Sequence, residues 1–270
     1  MDEFKFKPFA LGEWKETRDT LLKYCRLVGA IRETLSTPLP HSSHTNLLVC
    51  DRGFTTSLIQ KNSVEQAQNF EVILDLLNRK LLIESNYREI LNVALTGQSL
   101  NALCDETCSL LTDIGIKPPI ERPSFIDGER GRFEIEPIKI YWENVKILGM
   151  LLEKIKMELS GEVSSVQLRP DDLSLILNWY ADYKEETNSP STQEIEFGFS
   201  TGDEKISEAY LYVSEFPGSE NLDKFYDINT LIHKAGKLQI SVLPFSKMFE
   251  DQPHTEQILL FFKRIKPLFE

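Results

Sequence analysis

Apolar residues recur along this chain at two periods, and the changes of period mark its elements. From residue 14 to 35 they fall at Trp14, Leu21, Cys25, Val28 and Leu35, the spacing of a helix with one inward face. Residues 36–43, with Pro38 and Pro40, predict a loop. Short strand-like runs follow at 46–50, 55–59, 70–76, 81–85 and 90–95. Phe70, Val72, Leu74 and Leu76 alternate at period two, which gives that strand a buried face. Arg52-Gly53 predicts a tight hairpin turn between the first two runs. The helical period returns at Leu100, Leu103, Cys104, Cys108 and Leu111, with Ser99 placed to cap the start and Gly115 the end.

Residues 117–135 have no periodicity and are rich in proline, glycine and charge, so they predict a connector between a first half, 1–116, and a second, 136–270. Pro137 can open a long helix, with Tyr141, Val145, Leu148, Leu152, Ile155 and Leu159 on one face and Gly161 as its stop. Strand-like runs return at 162–168, 173–180, 194–200, 209–215 and 238–243. Ile195, Phe197 and Phe199 alternate there with Glu196 and Gly198. The acidic segment 184–193 predicts a mobile loop. Ile258, Phe261, Phe262 and Ile265 close the chain on a helix over 257–269.

The order is helix, about five strands, helix, and then the same again, a possible duplication that rests on element order alone. Consecutive strands with short links pair antiparallel, and helices would then cover one face of the sheet or sheets. The predicted class is α+β, because strands do not alternate with helices.

Composition changes this picture little. Of the 270 residues, 41% are hydrophobic and 27% charged, a globular balance. Four cysteines without a CxxC pair fit a reduced, cytoplasmic setting. The N-terminus has no secretory pattern, and no apolar run has the length of a membrane span, so no membrane partner is expected. The net charge of −12 would repel a phosphate backbone, and the bases are scattered apart from Lys263, Arg264 and Lys266, which argues against a nucleic-acid partner.

Candidate chemistry is sparse. No phosphate-binding glycine loop, dinucleotide fingerprint, HExxH or GxSxG is present, and no cofactor or metal is expected. His41 and His44 stand three apart in a loop; in extended chain they face opposite sides, and in a turn they converge as an acid–base or zinc pair. Cys104 and Cys108 lie one helical turn apart on an apolar stripe, either core or a metal pair. Asp171-Asp172, after Pro170, is either a carboxylate pair or a turn. Arg52, Thr55 and Thr56 either hold an anion through charge and hydroxyls, or are two strand threonines beside a solvated arginine.

Several blocks, in order from about residue 11 to 268, resemble the bacterial family catalogued as domain of unknown function 5996. Trp14, Thr17, Thr20 and Leu21, then Val28-Gly29-Ala30-Ile31-Arg32, resemble its W-x-x-T-x-x-T-L and V-G-K-I-R. His41, His44 and Arg52-Gly53-Phe54-Thr55-Thr56 resemble N-H-W-W-H-V and R-G-L-T-T. Looser matches are Trp142, Ser164 and Val166 with Asp172-Leu173, Glu208-Ala209-Tyr210, and Leu243-Pro244-Phe245. The departures are chemical: Ala30 replaces a lysine, Pro40 an asparagine, Gln167 a histidine, and Tyr212-Val213 a His-Glu pair.

The resemblance implies the fold and a polar site between the halves that this member has partly lost. It supplies no reaction. Two functions remain. One is a protein that binds an unknown small molecule or protein partner, with Arg52, Thr55, Thr56, Gln167 and Tyr210 as ligand contacts. The other is an enzyme on a small organic or phosphorylated substrate, with His41, His44 or Glu208 as acid–base and Arg52 as anion anchor.

Overall fold

A computed structural model of the chain describes Lys7 and residues 11–62, 67–86, 88–117, 127–184, 190–216, 231–235, 238–248 and 254–264. The elements in order are α1 (Leu11–Leu35), β1 (Leu47–Cys50), β2 (Gly53–Thr55), β3 (Ile59–Asn62), β4 (Ala67–Asp75), β5 (Lys80–Ser85), β6 (Arg88–Ala94), α2 (Leu100–Asp113), α3 (Ile135–Lys156), β7 (Glu162–Val163), β8 (Gln167–Arg169), β9 (Ser174–Lys184), β10 (Pro190–Ser200), β11 (Tyr210–Phe216), β12 (Leu231–Ala235), β13 (Leu238–Pro244) and α4 (His254–Lys263). The fold is α+β with antiparallel pairing, and the predicted order of helix, strands and helix, twice over, is present.

The chain forms two compact units. The first comprises residues 14–142 and 168–173; the second comprises 1–13, 143–167 and 174–270. The division falls inside α1, inside α3 and inside β8.

In the first unit, β1 and β2 form a hairpin in which Cys50 pairs with Gly53, so Asp51 and Arg52 are the turn. Gly53 has φ +151, and a Cβ there would lie 2.1 Å from the Leu74 carbonyl oxygen, so only glycine fits. β4 takes β5 along one edge and both β2 and β3 along the other. The single strand predicted over 55–59 is therefore broken in two. Ser57 turns left-handed at φ 58, and Thr56 bridges the gap. Its N–H donates to the Val72 carbonyl, and its hydroxyl oxygen accepts the Val72 N–H. Phe70, Val72, Leu74 and Leu76 are all buried, as their alternation predicts. α2 is capped by Ser99, whose side chain accepts the Ala102 N–H, and Gly115, two residues past its end, turns left-handed at φ +77.

In the second unit, the strands run in the order β12-β13-β11-β10-β9, with β7 also on β9. β9 and β10 extend into the acidic segment 184–193 and leave 185–189 outside the described residues. The strand predicted over 162–168 is two short strands, and α3 ends at Lys156, before the predicted stop at Gly161. β12 was not anticipated: its five residues carry little apolar alternation, and pairing with β13 decides their conformation. Ile195, Phe197 and Phe199 are fully buried, and Phe197 meets Phe262 of α4 edge-on at 5.7 Å. Residues 118–126 of the connector and 265–269 at the end of the closing helix, Lys266 among them, lie outside the described residues.

Candidate functional site

The sequence candidates of the first unit are held in four places. His41 and His44 lie in a 3-10 turn, Pro40–Thr45, in which His41 (φ 52, ψ 28) and Ser42 (φ 55, ψ 25) are both left-handed. His41 is exposed. His44 Nδ1 accepts the Leu39 N–H at 3.2 Å, which leaves Nε2 as its available nitrogen. Arg52, Thr55 and Thr56 are brought together around a cross-strand pair of like charges. Glu71 of β4 stands directly opposite Glu84 of β5, an arrangement that destabilises a sheet unless answered. Arg52 donates to Glu84 at 2.7 Å, and Thr55 donates to Glu71. The hydrogen bond with Glu84 holds the Arg52 guanidinium above its usual pKa. The guanidinium and the threonine hydroxyls thus have internal partners. The Cys104 and Cys108 thiols lie 3.9 Å apart on α2 and are unoxidised. Asp171 and Asp172 sit in the turn after Pro170, where Asp171 meets Arg26 and Asp172 meets Arg169.

The remaining candidates belong to the second unit. The buried Gln167 side chain donates to Ser165 Oγ at 3.2 Å. The Glu208 carboxylate accepts the N–H and the hydroxyl of Ser246, each at 2.7 Å, and so caps the short 3-10 turn Phe245–Lys247. Tyr210 donates to Asp203 at 2.8 Å. Burial pushes the Asp203 carboxyl upward, but the N–H groups of Ile206 and Lys205 and the Tyr210 hydroxyl outweigh it and hold the pKa below the ordinary carboxylate range.

Tyr210 leads to a polar constellation shared by β9, β10 and β11. Cross-strand register places Ile176, Asn178 and Tyr180 of β9, Glu194, Glu196, Gly198 and Ser200 of β10, and Tyr210, Tyr212 and Ser214 of β11 on one face of the sheet. Alternation against Ile195, Phe197 and Phe199 would leave this face to solvent. Instead Asn178 (9%), Tyr180 (8%), Glu196 (8%) and Tyr212 (6%) are nearly inaccessible. The Tyr212 hydroxyl donates to Glu196 Oε1 at 2.8 Å. Its ring lies over Gly198, where a Cβ would come within 2.1 Å of Tyr212 Cζ. Asn178 Nδ2 donates to Glu194 Oε1 at 2.8 Å and reaches Tyr180 Oη at 3.4 Å.

A carboxylate only accepts, so the amide nitrogen of Asn178 must face Glu194 and its Oδ1 must point away. That Oδ1 is buried and has no hydrogen-bond partner. Burial pushes the Tyr180 phenol up and keeps it protonated. Toward the β13 side the face turns apolar, with Ile176, Tyr212 and Val242 packed together.

Sequence reasoning missed Asn178, Tyr180, Glu194 and Glu196, although the signal was present: polar and aromatic residues at period two on neighbouring strands. Among the described residues no group of three or more His, Cys, Asp and Glu is placed to hold a metal ion, and no helix is long and apolar enough to cross a membrane.

Fold and site together define an α+β protein of antiparallel strands, with a sheet face lined by carboxylates, tyrosines and an asparagine. The chain belongs to DUF5996, described as a family of unknown function, which matches residues 6–265. Comparison with curated proteins and with solved structures gives no match.

Proposed function

We propose that the protein binds a small organic cation bearing a protonated amine on the polar face of the second unit. The observation that carries this is the unpartnered, buried Oδ1 of Asn178 beside the carboxylates of Glu194 and Glu196. Every group there that looks for a partner or carries charge is an acceptor, so the complementary ligand group is a hydrogen-bond donor. Two carboxylates at i and i+2 on one strand favour a donor with positive charge. Tyr180 stands opposite Glu194 in the register, and its ring offers a face to the same cation. The acidic chain as a whole attracts cations.

The test compares putrescine with 1,4-butanediol, its neutral counterpart of equal length, by thermal unfolding of the full chain. Putrescine raises the midpoint, by about 2.7 kcal/mol of added stability at a hundred times its dissociation constant. Butanediol leaves it unchanged, and the double variant E194Q/E196Q loses the response. Equal responses to the two compounds, or a double variant that answers putrescine as the wild type does, would refute the proposal.

A further inference from the structure

Arg32 is the buried arginine among those of the first unit whose side chains are described. Arg18, Arg26, Arg52, Arg132 and Arg169 each meet a carboxylate, through side chains that reach solvent. Arg32 is 4% exposed, and its Nε and Nη1 are buried without a hydrogen-bond partner. A guanidinium does not shed its proton to escape this situation. A buried guanidinium whose donors are unmet is costly, so a counter-charge is the arrangement that burial calls for.

The surroundings have two further features. Arg32 lies on the same face of α1 as Gly29, one turn on. Gly29 is packed under the Pro170 ring, and the Thr45 carbonyl lies 3.9 Å from where its Cβ would stand. The helix face that carries Gly29 and Arg32 thus runs against Pro170 and against the end of the histidine-bearing turn Pro40–Thr45. The chain leaves the helix one turn after Arg32, where Ser36 N–H donates to the Arg32 carbonyl, and residues 37–42 are exposed. Solvent is therefore a short way off along the chain.

We propose that Arg32 anchors a buried oxyanion site at the C-terminal end of α1, which takes the carboxylate or phosphate group of a small molecule. Its chemistry is opposite to that of the ammonium site on the second unit, and neither depends on the other. The carbonyl end of α1 is itself negative, so Arg32 is the group that makes an anion acceptable there. With a ligand-free interior, an apolar residue of similar length is tolerated at this position; with a ligand, the loss is of affinity.

The experiment measures thermal unfolding of the wild type, R32M and R32K in sodium phosphate, sodium acetate and sodium chloride at matched ionic strength. The wild type gains several degrees in phosphate or acetate beyond its response to chloride, rising with the logarithm of the oxyanion concentration. R32M loses that gain, and R32K, which keeps the charge without the planar fork, retains part of it. A larger gain from phosphate marks a phosphorylated ligand; a larger gain from acetate marks a carboxylate. A wild type that responds no more to either oxyanion than to chloride, or an R32M response equal to wild type, overturns the site. Should R32M not fold, phosphorus-31 line broadening of phosphate titrated into the wild type, competed by acetate, decides in its place. Saturable, competed broadening supports the site, and broadening that grows linearly without competition refutes it.

Discussion

At the residue scale, the polar side chains near the β2–β3 break work mainly on the sheet itself. Thr56 is 2% exposed, and its hydroxyl supplies the acceptor that a continuous strand would have offered to the Val72 N–H. T56V keeps the shape and removes the acceptor. It should cost about 1–3 kcal/mol in urea unfolding, because a buried donor is left unmet, and it should leave the putrescine response untouched. An anion contact at Thr56 would show the reverse, with affinity lost and stability kept. Asp203 gives a pH signature. Its carboxyl is held below the ordinary range, so the stability it adds is fully present above the unfolded pKa of roughly 4 and disappears as pH falls through the folded value. D203A should therefore be destabilised at neutral pH, by about 2 kcal/mol for the lost charge-assisted bonds. Lowering the pH through that folded value should narrow the gap between variant and wild type, as the wild-type carboxyl becomes protonated as well.

At the element scale, strong periodicity is what the sequence made legible. The stripes of α1, α2 and α3 and the alternation of β4 and β10 predicted those elements and their buried faces, because each needs nothing beyond its own residues to show its period. β12 and the split of β2 from β3 were not legible. Both depend on a partner strand: β13 for the first, and β4, through the hydrogen bonds of Thr56, for the second. The polar face failed for a related reason. Period two separates two faces of a strand, but it does not say that the polar one is also shielded. Tyr210 alone of its tyrosines stood among the sequence candidates. α4 offers a direct test of packing at this scale. Phe262 is 1% exposed and meets Phe197 edge-on. F262A should cost about 3–5 kcal/mol. Amides of residues 254–264 should lose protection in hydrogen exchange, while those of α1 keep theirs. Uniform loss in both helices would show that α4 has no local stability of its own.

At the scale of the whole molecule, the net charge of −12 and the pair Glu194–Glu196 both favour a cation, and salt separates the two. A diffuse field acts over a Debye length, about 30 Å at 0.01 M ionic strength and about 10 Å at 0.1 M. A dication gathered by the field alone should lose its affinity steeply between about 0.02 and 0.3 M sodium chloride. Its binding should also barely notice the removal of two charges among 42 acidic residues. A dication held at Glu194 and Glu196 should behave otherwise. Glu196 is 8% exposed, and a partly buried pair is screened far less than surface charges are. Titration calorimetry with putrescine should therefore show a modest fall in affinity over the same range. At least a tenfold gap between wild type and E194Q/E196Q, about 1.4 kcal/mol, should survive at the upper end. If the gap closes as salt rises, the attraction belongs to the surface as a whole, and the carboxylates of β10 serve only to hold Asn178 and Tyr212 in register. If the gap persists, the face that the strand pattern would have left to water is the place where this fold takes its ligand.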